Sequence, residues 1–118
     1  GWKVGLPVVV GANTPLIFRR WFPGDVLDEG PLQTLQPQSA SEKLNPEIVL
    51  VPLLAFDGDR YRLGQGGGFY DRTLADLKDQ DGGVLSIGVA FACQQVESVP
   101  RDQYDQQLDM VITENGVL

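Results

Sequence analysis

The sequence contains no histidine and one cysteine, Cys93. Without an imidazole, no residue of this chain can act as a His base, a His nucleophile or a His metal ligand. One thiol excludes an intrachain disulfide and a cysteine zinc cage, and it suits a reducing compartment. Cys93 lies in an apolar run and reads as a buried small hydrophobe rather than a nucleophile. Basic residues are also scarce, nine Lys and Arg against sixteen Asp and Glu, for a formal net charge of −7. That balance lacks the basic stripe of a nucleic-acid surface, so no nucleic-acid partner is expected. No apolar run approaches a membrane span and no basic-then-apolar leader opens the sequence, so a cytoplasmic protein with no membrane partner is expected. A chain this acidic must handle any phosphate locally, through backbone dipoles, a few arginines and a cation.

What is present suffices for one domain, residues 1–118. The apolar share is 42% and the charged share 21%, as in a soluble globular protein. Residues 4–10 predict a strand, with Pro7 near its start, and residues 16–18 a second strand or edge. Residues 21–47 are rich in Pro, Gly, Gln and Ser and form the longest stretch without periodicity, a long loop of the kind that is usually functional. The apolar run 48–54 predicts a central parallel strand covered on both faces. A tight turn at 57–59 returns the chain as a short strand at 61–62. Tyr70, Leu74 and Leu77 share one face of a helix over 67–78, with Asp71 in its first turn and Lys78 in its last, as the helix dipole favours. Strands at 84–90 and 110–113 follow, with a polar loop over 100–107 between them. This order predicts an α/β protein with a mostly parallel sheet, flanking helices and at least one crossover. One helix cannot cover such a sheet, which points to a missing segment or to a homo-oligomer.

The most distinctive stretch runs from Arg62 to Arg72. Four of the five positions 64–68 are glycine, and the helical pattern follows directly. A glycine bend feeding a helix N-terminus presents unpaired N–H groups to one spot, an arrangement suited to phosphate. The Rossmann fingerprint fails because Phe69 stands where its third glycine belongs, and no Gly-Lys-Ser/Thr triplet completes a P-loop. Arg62 is placed to counter phosphate charge; the plain alternative is a surface charge at a strand end. Asp71 offers oxygen to Mg²⁺; the alternative is a dipole partner. Phe69 and Tyr70 offer flat surface to a heterocycle, although the spacing of Tyr70 also fits a core residue.

The stretches 51–57 and 62–72 together resemble the signature of the 5-formyltetrahydrofolate cyclo-ligase family. Residues 1–9, 18–25, 30–37, 88–92 and 108–114 resemble further segments of that family in the same order. The resemblance implies an α/β fold related to sugar-phosphate isomerases and CoA-transferases. It also implies ATP- and Mg²⁺-dependent closure of 5-formyltetrahydrofolate to 5,10-methenyltetrahydrofolate, so ATP and a reduced folate are the implied partners. Carried over by position, Arg62, Leu63, Gly64, Gln65, Gly66, Gly67, Gly68, Phe69 and Tyr70 would cradle ATP. Gln65, Gly66, Gly67, Gly68 and Phe69 would also border the folate. Asp71 and Asp109 would hold Mg²⁺, and no covalent nucleophile is expected. Two departures occur: Tyr104-Asp105 replaces the usual His-Asp, and Gln36-Pro37 replaces Glu-Pro. Full-length members begin with a helical region that supplies basic residues to ATP, and this sequence starts beyond it. Three alternatives stand: a catalytic core; a binding remnant of the same fold that keeps a nucleotide or folate pocket without turnover; and an assembly role in which the exposed sheet face drives dimerisation.

Overall fold

The computed structural model describes residues 2–31, 34–80 and 82–118. Its centre is a four-stranded sheet in the order β11-β10-β9-β6, formed by β6 (Ile48–Val51), β9 (Leu85–Val89), β10 (Met110–Thr113) and β11 (Gly116–Val117). β6 pairs with β9 and β9 with β10 in parallel, while β11 folds back antiparallel on β10. The parallel step from β6 to β9 needs a crossover, which α1 (Phe69–Lys78) supplies. Thr73, Leu74 and Leu77 are the buried face of α1. Leu74 and Leu77 join Val49, Val51, Phe56, Leu108 and Val111 in one core, with Phe18 contributed from outside the central sheet.

Three antiparallel units surround this core. β1 (Gly5–Val8), β2 (Ile17–Arg20) and β5 (Lys43–Leu44) form one sheet. β3 (Leu27–Glu29) pairs with β4 (Leu35–Pro37), and β7 (Ala55–Phe56) with β8 (Arg62–Leu63). No helix among the described residues is long and apolar enough to cross a membrane.

The architecture is α/β with mixed sheets, not a mostly parallel one. Among the described residues the parallel pairings are β6–β9, β9–β10 and an isolated bridge between Phe56 and Gln95. Residues 48–54 do not form a central strand covered on both faces. β6 is an edge strand of four residues, and its burial alternates: Val49 is 3% exposed and Leu50 64%. The register places Ile48, Leu50, Leu85, Ile87, Val89, Met110 and Ile112 on the face away from α1, where most of them meet solvent. The 21–47 stretch is not one long loop. It holds β3, β4 and β5, each too short for a period to register. Cys93 is exposed in the 3₁₀ turn Ala92–Gln94 rather than buried. The helix begins two residues later than the pattern predicts, because Gly68 takes the left-handed conformation at φ 71° and serves as its cap.

Candidate functional site

The bend at 64–68 runs from β8 into α1 and lines a cavity of about 980 Å³. That volume suits a nucleotide-sized or folate-sized ligand. The first turn of α1 carries no side-chain cap, so its amide hydrogens face the bend unmasked. Gly66 has φ 98°, a conformation that glycine adopts without strain. Arg72 fastens the bend from behind. Its Nη1 donates to the Gly67 carbonyl at 2.7 Å and its Nη2 to Asn13 Oδ1 at 3.2 Å. Thr73 Oγ1 donates to the Phe69 carbonyl at 2.6 Å and accepts from the Leu16 amide at 2.8 Å. The helix start is thereby tied to the segment joining β1 and β2.

The structure brings Arg62, Leu63, Gly64, Gln65, Gly66, Gly67, Gly68, Phe69, Tyr70 and Asp71 to this one cavity. Pro52, Leu53 and Leu54 add an apolar wall. Arg62 lies beneath the bend, its side chain only 7% exposed. Its Nη1 donates to the Pro52 carbonyl at 3.1 Å, and its guanidinium carbon lies 5.5 Å from the centre of the Tyr70 ring. Burial raises the Tyr70 phenol above its ordinary range, and the Arg62 charge opposes that rise.

Asp109 is not brought to the cavity. Its Oδ2 accepts from the Ser86 amide at 2.8 Å and from Ser86 Oγ at 3.1 Å, tying the chain before β10 to β9. Asp105 lines the cavity instead, and its carboxylate stands beside that of Asp71. A turn holds it there: the Asp102 amide donates to Asp105 Oδ2 at 2.8 Å and the Tyr104 amide to Asp102 Oδ1 at 2.8 Å. The next residue closes the gap to the helix, with the Gln106 amide donating to Asp71 Oδ1 at 3.2 Å. Burial raises the Asp71 carboxyl above its ordinary value, the Gln106 amide and Arg62 (Nη2 at 3.9 Å) pull it down, and Asp105 pushes it up again. Two acidic groups converging on one wall suit a hard cation with oxygen preference. No cluster of three or more His, Cys, Asp or Glu occurs among the described residues, so such a cation would keep water or ligand oxygens.

Sequence reasoning missed Asp105 as a site residue. Its signs were an acidic turn in a polar loop, Asp102-Gln103-Tyr104-Asp105, which solvated acidic turns share, and the aspartate kept where Tyr104-Asp105 replaces His-Asp. Arg72 was legible only as the end of the motif, because its role depends on a partner, Asn13, far away in sequence.

A sequence profile of the 5-formyltetrahydrofolate cyclo-ligase family matches residues 21–114. The chain is 36% identical over 97 residues to the 5-formyltetrahydrofolate cyclo-ligase of Haemophilus influenzae, a match covering 79% of this chain and 51% of that protein. It is 33% identical over 125 aligned positions to the Escherichia coli protein of the same name, covering 98% of this chain and 68% of the relative. The fold superposes on Aquifex aeolicus 5,10-methenyltetrahydrofolate synthetase with a TM-score of 0.77 at 36% identity, over 98% of this chain and 57% of that one. The chain therefore spans between about half and two thirds of the length of these relatives. With the matched profile running through both the bend and the Asp105 turn, the chain belongs to the 5-formyltetrahydrofolate cyclo-ligase family.

Proposed function

We propose that these residues form the nucleotide side of a site that closes 5-formyltetrahydrofolate to 5,10-methenyltetrahydrofolate with ATP and Mg²⁺. One observation carries the reading: the glycine bend, the uncapped start of α1 and the Asp71–Asp105 pair share the wall of a single cavity. In this reading the amides of residues 66–70 face the phosphates. The apolar wall of Pro52, Leu53, Leu54 and Leu63 takes a flat heterocycle. The bend, from Gln65 to Phe69, separates nucleotide from folate. Asp71 and Asp105 would hold Mg²⁺, whose chemistry there is neutralisation of phosphate charge. Asp109 takes a structural role in place of the one the resemblance gives it.

In the proposed reaction the formyl oxygen takes the γ-phosphoryl group and ADP departs. N10 of the same folate then attacks the formyl carbon and phosphate departs. Both nucleophiles belong to the substrates, so the chain's work is placement and charge balance, which a site without histidine can do. A cytoplasmic location accords with this chemistry.

A binding pocket without turnover is the competing reading, and one observation favours it. Arg62 and Arg72 are the only cations lining the cavity among the described residues, and both are engaged with backbone carbonyls. A phosphate-transfer site of this family would draw further basic groups from elsewhere. The exposed apolar face of the central sheet also supports self-association or cover by further chain. Absorbance of methenyltetrahydrofolate, followed with ATP, Mg²⁺ and 5-formyltetrahydrofolate, separates the readings. Product formation that requires all three components supports the ligase reading. Nucleotide binding without product supports the binding pocket.

A further inference from the structure

Gly64 opens the bend, yet positive φ occurs within the bend only at Gly66 and Gly68. Backbone conformation therefore does not require glycine at position 64. Space does: a Cβ there would lie 2.7 Å from Arg62 Nη1, with Cζ and Nη2 3.5 and 3.6 Å away. The guanidinium itself is fixed from other directions. The Pro52 carbonyl holds Nη1, the Tyr70 ring stacks near it, and Asp71 stands 3.9 Å from Nη2. Its Nε is buried with no hydrogen-bond partner among the described residues.

We propose that Arg62 is a positioning residue, a brace between the end of β6 and the first turn of α1 that sets the height of the bend over the cavity. The inference rests on the bend being the nucleotide seat. It makes residues 62 and 64 a coupled pair, since position 64 is held to glycine by the guanidinium beneath it.

The test is a double-mutant cycle of Gly64→Ala and Arg62→Lys, the lysine keeping the charge and vacating the space of the Nη atoms. Two readouts are taken: amide exchange of residues 65–68 in the ligand-free chain, and the dissociation constant for ATP with Mg²⁺. Each single variant is expected to speed exchange in the bend and weaken ATP binding about tenfold. In the Arg62→Lys background, Gly64→Ala is expected to add less than about threefold. Effects of the two substitutions that multiply in both readouts overturn the brace, as does Arg62→Lys leaving bend exchange unchanged. Should Gly64→Ala fail to fold, recovery of folding in the double variant supports the brace, and failure of both overturns it. If the unaltered chain binds no ATP, the nucleotide reading falls, and the exchange data still decide for or against the brace.

Discussion

One aspartate lies in the turn of the β7–β8 hairpin and another in the first turn of α1 beyond the bend, and their surroundings could hardly differ more. Asp57 is buried and saturated: Oδ1 accepts from the Asp59 and Tyr61 amides at 3.0 and 3.2 Å, and Oδ2 from the Val99 amide at 3.1 Å. Burial alone would raise its carboxyl, yet these amides and the nearby Arg101 bring it below the ordinary value. Asp71 receives one backbone amide, lies 3.9 Å from Arg62 and faces a second carboxylate, and its carboxyl rises. A carboxylate that holds three backbone amides belongs to the scaffold. One left short of donors beside another acid is, in the proposed reading, where the cation sits.

The largest effect that would test this contrast is on stability. Asp57→Ala strands three amides and is expected to cost about 3 kcal/mol in urea unfolding. Asp71→Asn should change stability by less than about 1 kcal/mol, while removing most of the Mg²⁺-dependent gain in ATP affinity seen by calorimetry. Asp105→Asn should behave like Asp71→Asn. A collapse of folding in either variant would return that carboxylate to the scaffold.

The two groups also pull the pH dependence in opposite directions. The folded value of Asp57 is depressed, so its contribution is present above 3.8 and is lost as pH falls through the folded value. The folded value of Asp71 is raised, so its contribution is fullest below 3.8 and is lost as pH rises through the folded value. Melting temperature followed against pH should therefore flatten on the acid side of 3.8 in Asp57→Asn and above 3.8 in Asp71→Asn. Curves unchanged in both variants would dissolve the comparison.

Smaller effects sharpen it. Asp109→Ala removes the clasp on Ser86 and is expected to cost about 1 kcal/mol, with Mg²⁺-dependent ATP binding unaltered. Loss of that binding would put Asp109 back at the ion. Leu50→Glu, on the bare face of the sheet, should alter stability by less than about 0.5 kcal/mol and reduce any self-association measured by sedimentation.

Where the fold was readable from sequence, a repeated chemical signal made it so. The helix followed from the spacing of Tyr70, Leu74 and Leu77, and the strands near 48, 85 and 110 from apolar runs. β3, β4 and β5 were not readable, since two or three residues hold no period and pairing across the chain decides them. The apolar run at 48–54 gave its strand but not its place, because hydrophobicity alone does not say which faces will be covered. At the candidate site, the bend and Asp71 stood out because four glycines in five positions lead directly into a helix with an acid in its first turn. The resemblance gave Asp109 to the ion, while Asp105 stood in the polar loop beside the Tyr104 departure. Only the fold turns one toward Asp71 and the other toward Ser86.

The central claim is that the bend and the Asp71–Asp105 pair together seat ATP with its ion. Thermal unfolding of the unaltered chain, scanned with ATP in the presence and absence of Mg²⁺, tests it most directly. The account predicts a rise in melting temperature with ATP that grows when Mg²⁺ is added and loses that extra increment in Asp105→Asn. An identical curve with and without ATP, at millimolar nucleotide and Mg²⁺, would contradict it.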